Sequence, residues 1–145
     1  MDKLEQFWEA IKKDMTITLA TAAEGRVTMR VVSPVYYEGA ILIFTSPNSK
    51  KYKQLRANPN CCIAARGFFA EATAEFRGAT MLTENKALRD SYREKFPGAF
   101  AEGDEFGGMN DEFVLMHPAR LSGWAFENDI QTENGVPTVP FEISI

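Results

Sequence analysis

Three strand-like segments joined by very short turns, between residues 15 and 46, constrain the fold more than any other feature of the sequence. "MTITLATA" alternates Met15, Ile17 and Leu19 with threonine, while "RVTMRVVSPVYY" and "AILIFTS" are rich in β-branched, aliphatic and aromatic residues. "AEGR" and "EG" are the turn signals between them. The segments predict three antiparallel strands, with an edge or a bulge near Pro34, whose nitrogen cannot donate to a sheet.

Helical and strand-like patterns alternate along the rest of the chain. The apolar stripe of "LEQFWEAI" predicts a first helix over residues 2–14, and a second helix ends at "NP". "CCIAAR" and "AEATAEFRGATML" predict the fourth and fifth strands, and "FVLMHPARLSGWAF" predicts the sixth. Thr83 is expected to cap a third helix, and Asn134 and Gly135 to form a hairpin turn in the tail.

Antiparallel hairpins interspersed with helices indicate a small α+β protein built on a barrel or a curled sheet. The chain has 145 residues and shows no internal repeat and no linker, which predicts a single domain over residues 1–145. Its only cysteines, Cys61 and Cys62, are adjacent within an apolar run and are interpreted as reduced core residues.

Composition excludes several classes of protein. The net charge of −4 and the pI near 5.1 argue against a general affinity for nucleic acid, so any basic cluster is local. The sequence contains no long apolar run, and "MDKLEQFWEAIKKDM" is charged and amphipathic rather than a signal peptide. A cytoplasmic protein without a membrane partner is expected.

The stretch "TSPNSKKYKQLR" places lysines at the start of the second helix. Ser49 has the chemistry of an N-cap, so Lys50 and Lys51 fall in the first turn, where unpaired N–H groups already create a positive potential. Two interpretations stay open. Either the lysines extend into water as a solvated face, or they hold an anion such as a phosphate, with hydroxyl groups from Thr45 and Ser46 nearby.

Arg30 is a second cation of interest, because it lies among valines in the second predicted strand. An arginine in an apolar strand normally has a partner. The candidates are a carboxylate, either Glu71 or Glu75, and the phosphate of a ligand.

These segments together resemble a known family. The stretch from "TLATAAEGRVTMRVV" to "NPNCCIAA" is similar to the core of the pyridoxamine 5'-phosphate oxidase-like, FMN-binding split-barrel family, including its small nitroimidazole-reductase-like members. The shared array is an arginine on the second strand of a hairpin, a strand ending in Thr or Ser, a Ser-Lys-Lys helix start and "NP" before the next strand. The resemblance implies an antiparallel, Greek-key-like split β-barrel with flanking helices.

The resemblance also implies a cofactor site for FMN. The residues implied to hold its phosphate are Arg30, Ser49, Lys50 and Lys51. Those whose backbone would follow the edge of the isoalloxazine ring are Met29, Arg30, Val31 and Val32. Those implied to contact the ribityl or phosphate portion are Thr45 and Ser46.

The resemblance implies a homodimer, since members of this family carry two flavins at the subunit interface. Each ring is then partly covered by the other chain. Trp124, in "SGWAF", is the candidate for the covering residue. A tryptophan of the core or of the dimer interface, without ligand contact, is the alternative.

The chain departs from the oxidase itself in its substrate-binding residues. "SGWAFENDIQTENG" lacks the C-terminal Arg-x-His pair of the oxidase, and Val35 stands where the oxidase has a lysine. These differences argue against pyridoxamine phosphate oxidase activity. The prediction is a flavin-dependent oxidoreductase of an unidentified small molecule, with NAD(P)H as a candidate electron donor. No catalytic side chain is assigned, because the flavin carries the chemistry.

Alternative functions remain open. A non-catalytic flavin- or haem-binding stress protein of the same fold would share the implied phosphate-binding residues but lack a productive substrate pocket. A deazaflavin is a further alternative cofactor. A nucleic-acid-binding barrel would need aromatic and basic residues interleaved on one sheet face, for which the sequence offers only a few tyrosines.

Metal and acid-base chemistry find little support. His117 is the only histidine, which excludes a multi-histidine metal site, and it is interpreted as structural. The acidic loop over residues 101–112 lacks the ligand spacing of a calcium loop and is interpreted as solvated. No metal is therefore expected.

Overall fold

The computed structural model describes residues 2–102, 106–125 and 139–145. Within them the α-helices are α1 (Lys3–Lys13), α2 (Lys50–Ala57) and α3 (Lys86–Lys95), and a 3₁₀ turn, Thr83–Asn85, precedes α3. The strands are β1 (Ile17–Ala23), β2 (Arg26–Val32), β3 (Val35–Tyr37), β4 (Ala40–Thr45), β5 (Asn60–Ala65), β6 (Phe68–Ala79), β7 (Glu112–Ala125) and β8 (Val139–Ser144).

Two-residue turns connect three of the hairpins. Residues 24–25, 38–39 and 66–67 join β1 to β2, β3 to β4 and β5 to β6, and both residues of each turn have positive φ. This backbone matches the right-handed twist of the flanking strands, and the glycine at each second position adopts it without steric cost. Every strand pair is antiparallel, as the turn signals predict.

The order of the strands closes the sheet into a barrel. The order is β2-β1-β5-β6-β7-β4-β3, with β8 paired to β7. β2 and β3 therefore lie at opposite ends of the order, although only Ser33 and Pro34 separate them in sequence. A chain spans at most about 3.3–3.6 Å per residue, so the two end strands must lie close together. The sheet curls into a barrel that is split between β2 and β3, which confirms the expected α+β split-barrel fold.

This split corrects the prediction of one continuous second strand. "RVTMRVVSPVYY" forms β2 and β3, which pair with β1 and β4 respectively. Pro34 lies at the crossing between the two end strands, where its missing donor costs the sheet nothing. α3 fixes the crossing, because the Tyr92 hydroxyl donates to the carbonyl of Ser33 at 2.8 Å and the Lys95 ammonium donates to that of Pro34 at 2.8 Å.

The buried side chains form two clusters on either side of β4. One cluster fills the barrel and is covered by α1, and includes Phe7, Leu19, Ile41 and Ile63. The other lies between α3 and the sheet, and is mostly aromatic; it includes Tyr92, Phe96, Phe100 and Phe113. β4 is buried on both faces, which explains why its sequence is apolar throughout rather than alternating.

Other local predictions need correction. Met15 is 55% exposed and precedes β1, whose buried positions are Ile17, Leu19 and Thr21. Thr83 does not cap α3 but begins the 3₁₀ turn, and Asn85, at the N-cap position, makes no side-chain cap either. Its amide is buried and donates to the carbonyls of Arg77 and Ala79 instead. The predicted turn at residues 134–135 lies outside the described residues.

Candidate functional site

The end of β4 and the start of α2 form a hydrogen-bonded corner. Ser49 is the N-cap of α2, as predicted, and its hydroxyl oxygen accepts from the backbone N–H of Tyr52 at 3.2 Å. The hydroxyl groups of Thr45 and Ser49 lie 2.9 Å apart. The Ser46 hydroxyl oxygen accepts from the backbone N–H of Asn48 at 3.1 Å. These contacts set the direction in which the first turn of α2 points.

The two lysines of this first turn differ in burial. Lys50 is exposed, whereas Lys51 is half-buried. Burial lowers the pKa of Lys51, and the positive charge of Arg30 lowers it further, while the carboxylate of Asp111 acts in the opposite direction. The structure therefore brings Lys51 of α2 close to Arg30 of β2, although 20 residues separate them in sequence.

Arg30 is held by neutral oxygens. Its Nη1 donates to the carbonyl of Leu19 at 3.1 Å and to the hydroxyl of Thr21 at 2.8 Å, and its Nη2 donates to the hydroxyl of Thr28. The predicted carboxylate partners are wrong, because Glu71 pairs with Arg120 and Glu75 with His117. Hydroxyl and carbonyl dipoles orient the guanidinium without neutralising it, and partial burial lowers its pKa.

A polar network missed at the level of the sequence joins this arginine to α2. The amide oxygen of Gln54 accepts from the hydroxyls of Thr21 and Thr28, each at 2.6 Å. Thr21 is 1% exposed and occupies an inward position of β1 that is otherwise apolar. A threonine at a buried position of an alternating strand was the available signal, since a buried hydroxyl normally has a partner.

β2, whose backbone is implied to follow a flavin ring, is an edge strand. Among the described residues it pairs only with β1, so the backbone groups along its other edge are free of sheet partners. The inward side chain of Val32 is buried. On the opposite face Val27, Met29 and Val31 are each at least two-thirds exposed, and they form an apolar stripe.

Two further predicted features are only partly described. Trp124 lies in β7 opposite Pro140, and its side chain is outside the described part of the structure. The interpretation of the acidic loop as simply solvated is wrong at its end: the carboxylate of Glu112 accepts from the Tyr52 hydroxyl at 2.9 Å, and Asp111 acts on Lys51. Residues 103–105 of the loop lie outside the described residues.

In the described part of the chain, the histidine and the two cysteines do not form a second reactive centre. His117 is exposed, and its Nε2 lies 2.7 Å from a carboxylate oxygen of Glu75. Cys61 is buried, with a pKa raised to about 12 by burial, and Cys62 is half-buried; both are free thiols. Within residues 2–102, 106–125 and 139–145 no group of side chains suits a metal ion. None of the helices in these ranges has the length and apolar character needed to cross a bilayer.

Solved structures with the same fold include proteins that bind different cofactors. A FAD-binding protein from Mesorhizobium loti has a TM-score of 0.64 and 21% identity, covering 85% of this chain and 94% of its own. A NimC/NimA family protein from Clostridium acetobutylicum has a TM-score of 0.63 and 17% identity, covering 100% and 95%. A haem-binding protein from Mycobacterium smegmatis has a TM-score of 0.73 and 14% identity, covering 99% and 58%. At such identities the similarity shows the fold alone.

Sequence comparison is more specific. No curated protein matches the chain. The family pattern of pyridoxamine 5'-phosphate oxidase, however, matches residues 3–124, which include the β1–β2 hairpin, the corner at the start of α2 and nearly all of β7. The chain therefore belongs to the pyridoxamine 5'-phosphate oxidase family.

Proposed function

We propose that this chain binds FMN and acts as an FMN-dependent oxidoreductase of a small molecule. The observation that carries the proposal is that Arg30, held only by neutral oxygens, lies near enough to Lys51 for its charge to act there, beside a first turn of α2 that contains no acidic residue. Burial lowers the pKa of both groups, and the charge of Arg30 lowers that of Lys51 further, so the two cations are costly unless an anion completes the site. FMN carries a phosphate group, which would supply this anion.

The donor set fits a phosphate. Arg30 offers a planar guanidinium whose orientation is set by three oxygen partners, and Lys51 offers a compact ammonium. The first turn of α2 adds backbone N–H groups and the positive end of the helix dipole. Ser49 and Thr45 add hydroxyls at the same corner. Lys50 is the more exposed of the two lysines and would act mainly through its charge.

The backbone of residues 29–32 suits the ring of the flavin. An edge strand presents N–H and C=O groups in a fixed row, and these can bond the polar edge of the isoalloxazine. When bound, the flavin supplies the hydride or electron transfer. The role of this chain would be to orient the ring and to leave one face open to the substrate. No acid-base side chain is required of the protein, and NAD(P)H is the proposed electron donor.

A homodimer is part of the proposal. The apolar stripe of Val27, Met29 and Val31 lies on the same strand as the proposed ring-binding backbone. Exposed apolar residues grouped in this way are typical of an interface, and a second copy placed on them would also cover the flavin. Sedimentation should show a dimer, and a monomer that retains stoichiometric FMN would contradict this part of the proposal.

A non-catalytic haem-binding protein of the same fold is less well supported. A haem commonly uses an axial histidine, and the only histidine of this chain is engaged with Glu75 on the outside of β7. A non-catalytic flavin-binding stress protein is distinguished by assay. Consumption of NAD(P)H with quinone or nitroaromatic acceptors is expected for the oxidoreductase and not for the stress protein.

The proposed phosphate site, called the phosphate corner below, consists of Arg30, Thr45, Ser49, Lys50 and Lys51. It is tested by comparing two flavins. FMN and riboflavin are titrated into the wild type and into Lys51→Ala, with fluorescence quenching as the signal. The variant should lose a charge-assisted contact of roughly 1.5–3 kcal/mol, or on the order of 10- to 100-fold in FMN affinity. Riboflavin, which lacks the phosphate, should bind both proteins alike. Lys13→Ala, a change of an exposed lysine on α1, is the matched control.

The outcomes separate the two interpretations of the lysines. A loss of affinity confined to FMN supports a phosphate site. An equal small effect on the affinities of both flavins means that Lys51 belongs to a solvated face. If neither flavin binds the wild type, the proposed function is wrong. An absorption spectrum of the purified protein, with the released cofactor matched to FMN, gives an independent check.

A further inference from the structure

A cleft lies between the β1–β2 hairpin and the face of α2 that carries Lys50, Lys53 and Gln54, next to the phosphate corner. Its volume is about 410 Å³, within the range of roughly 300–1,000 Å³ that is usual for small-molecule sites. The polar and charged residues lining it include Glu24, Arg26, Thr28, Lys50, Lys53 and Gln54. Neither the helix nor the turn alone creates this cleft, because its two walls come from different elements.

The cleft carries a surplus of positive charge. Arg26, Lys50 and Lys53 are cationic, and Glu24 is the only carboxylate among the lining residues. No ion pair holds any of these three cations among the residues that the structure describes. Other exposed cations of the protein, such as Lys86 and Arg66, do form ion pairs. The unpaired cations of the cleft can therefore bind an external anion without first breaking an internal contact.

The cleft is continuous with the phosphate corner. Thr28 lines the cleft and accepts from Arg30, and Gln54 lines it and accepts from Thr28. Lys50 lines the cleft while the next residue, Lys51, is close to Arg30. A ligand held at the corner by one phosphate can therefore extend into the cleft without leaving a positively charged surface.

We propose that this cleft holds a second phosphate and its attached nucleoside, so that the protein binds the dinucleotide FAD more tightly than FMN. The inference rests on the proposed function, because the FMN half of FAD would occupy the corner described above. Arg26 and Lys53 are the two cations that face the cleft and lie outside the FMN phosphate set. They bind the second phosphate, and Glu24 and Gln54 offer polar groups to a ribose.

The experiment measures FAD and FMN affinities by fluorescence quenching in the wild type, in Arg26→Ala/Lys53→Ala and in a control. The control, Lys3→Ala/Lys13→Ala, removes two positive charges from α1 and leaves the cleft intact. The wild type should bind FAD at least about tenfold more tightly than FMN, as one charge-assisted contact provides. The cleft variant should lose that preference while its FMN affinity stays within about twofold of the wild type, and the control should keep the preference.

The outcomes also separate this inference from the proposed function. If FMN binds and FAD binds no more tightly, the inference is wrong and the proposed function stands. The same conclusion follows if the cleft variant weakens both flavins equally. If the control loses the preference as fully as the cleft variant, the effect is one of net charge and the cleft is not a site. Circular dichroism of each variant checks that it is folded.

Discussion

The starts of α1 and α2 are both capped by a side-chain oxygen, but only the start of α1 contains acidic residues. In α1 the Asp2 carboxylate accepts from the Glu5 N–H at 2.8 Å, and the Glu5 carboxylate accepts from the Asp2 N–H at 3.1 Å. In α2 the Ser49 hydroxyl caps the helix, but Lys50 and Lys51 follow it and the first turn has no acidic residue. The last turns do not differ in this way, since both contain basic residues.

This difference indicates what each helix contributes. α1 places acidic groups at its positive end and covers the barrel with Phe7 and Ile11, so its charges serve stability. The lysines of α2 cost roughly 0.3–1 kcal/mol each at low ionic strength, because they face the positive end of the dipole. This unfavourable arrangement near Arg30 is consistent with the proposed anion site, in which a bound phosphate would offset the cost. The predictions below test whether the two helix starts differ in function as they do in charge.

The largest effect is expected from giving α2 the cap of α1. Ser49→Asp keeps a good N-cap but places a carboxylate beside the proposed phosphate, so FMN affinity should fall on the order of 10- to 100-fold. The apo protein should become about 0.3–1 kcal/mol more stable, because an anion now faces the helix dipole. FMN titration and urea unfolding measure the two effects.

The matched control for this change is Ser49→Asn, which caps equally well without charge. It should retain most of the FMN affinity. If Ser49→Asn weakens FMN as much as Ser49→Asp does, the hydroxyl and not the local charge is responsible.

A smaller effect is expected at α1, and on stability alone. Asp2→Ala removes the cap and half of the capping box, which should lower the free energy of unfolding by about 0.5–2 kcal/mol. FMN affinity should not change, because α1 packs against β3 and β5 and supplies no residue to the phosphate corner. Urea unfolding with and without FMN tests both statements. An FMN affinity that fell along with stability would mean that the two helix starts are not independent.

The smallest effect concerns pH and Lys51. The pKa of Lys51 is lowered in the folded protein, first by burial and then by Arg30. As pH rises through that lowered pKa, the unfolded chain holds more protons than the folded one, so the apo protein gains stability relative to Lys51→Gln. FMN affinity should fall over the same range, because the ammonium is lost.

Urea unfolding and FMN titration of both proteins, at a series of pH values from 7 to above 9, measure these opposite trends. Comparison with Lys51→Gln is needed because burial also lowers the pKa of Lys95. If stability and FMN affinity changed in the same direction with pH, this would contradict a site in which the charge of Lys51 destabilises the apo protein and binds the phosphate.

Much of the local structure follows from local sequence signals. The alternation in "AEATAE" predicts β6 correctly, with Ala70 and Ala72 buried and Glu71 exposed. The cap at Ser49 and the end of α2 at Asn58 follow from side-chain chemistry within one turn. Thr83 does not cap α3, and the reason is a tertiary contact. The buried amide of Asn85 donates to the carbonyls of Arg77 and Ala79 at the end of β6.

The candidate site was predictable in its parts. Arg30, Ser49 and Lys51 stand out by residue type and position, and the family resemblance groups them. Their partners were not evident, because Gln54 and Thr28 acquire their roles only when α2 packs against the β1–β2 hairpin. The neutral partners of Arg30 could not be distinguished from carboxylates by sequence, since the predicted β1–β2 hairpin does not by itself show which oxygens the guanidinium reaches.

The sequence by itself determined most of the strands, the turns at residues 24–25 and 38–39 and the cap of α2, because periodicity, positive-φ turns and capping act over a few neighbouring residues. The tertiary structure alone decided that "RVTMRVVSPVYY" divides between the two ends of the sheet, and that the charge of Arg30 acts on Lys51. Both depend on closing the barrel, which brings together strands that are distant in sequence. Closure is a property of the whole sheet, and no local pattern of residues records which strands will become its neighbouring edges.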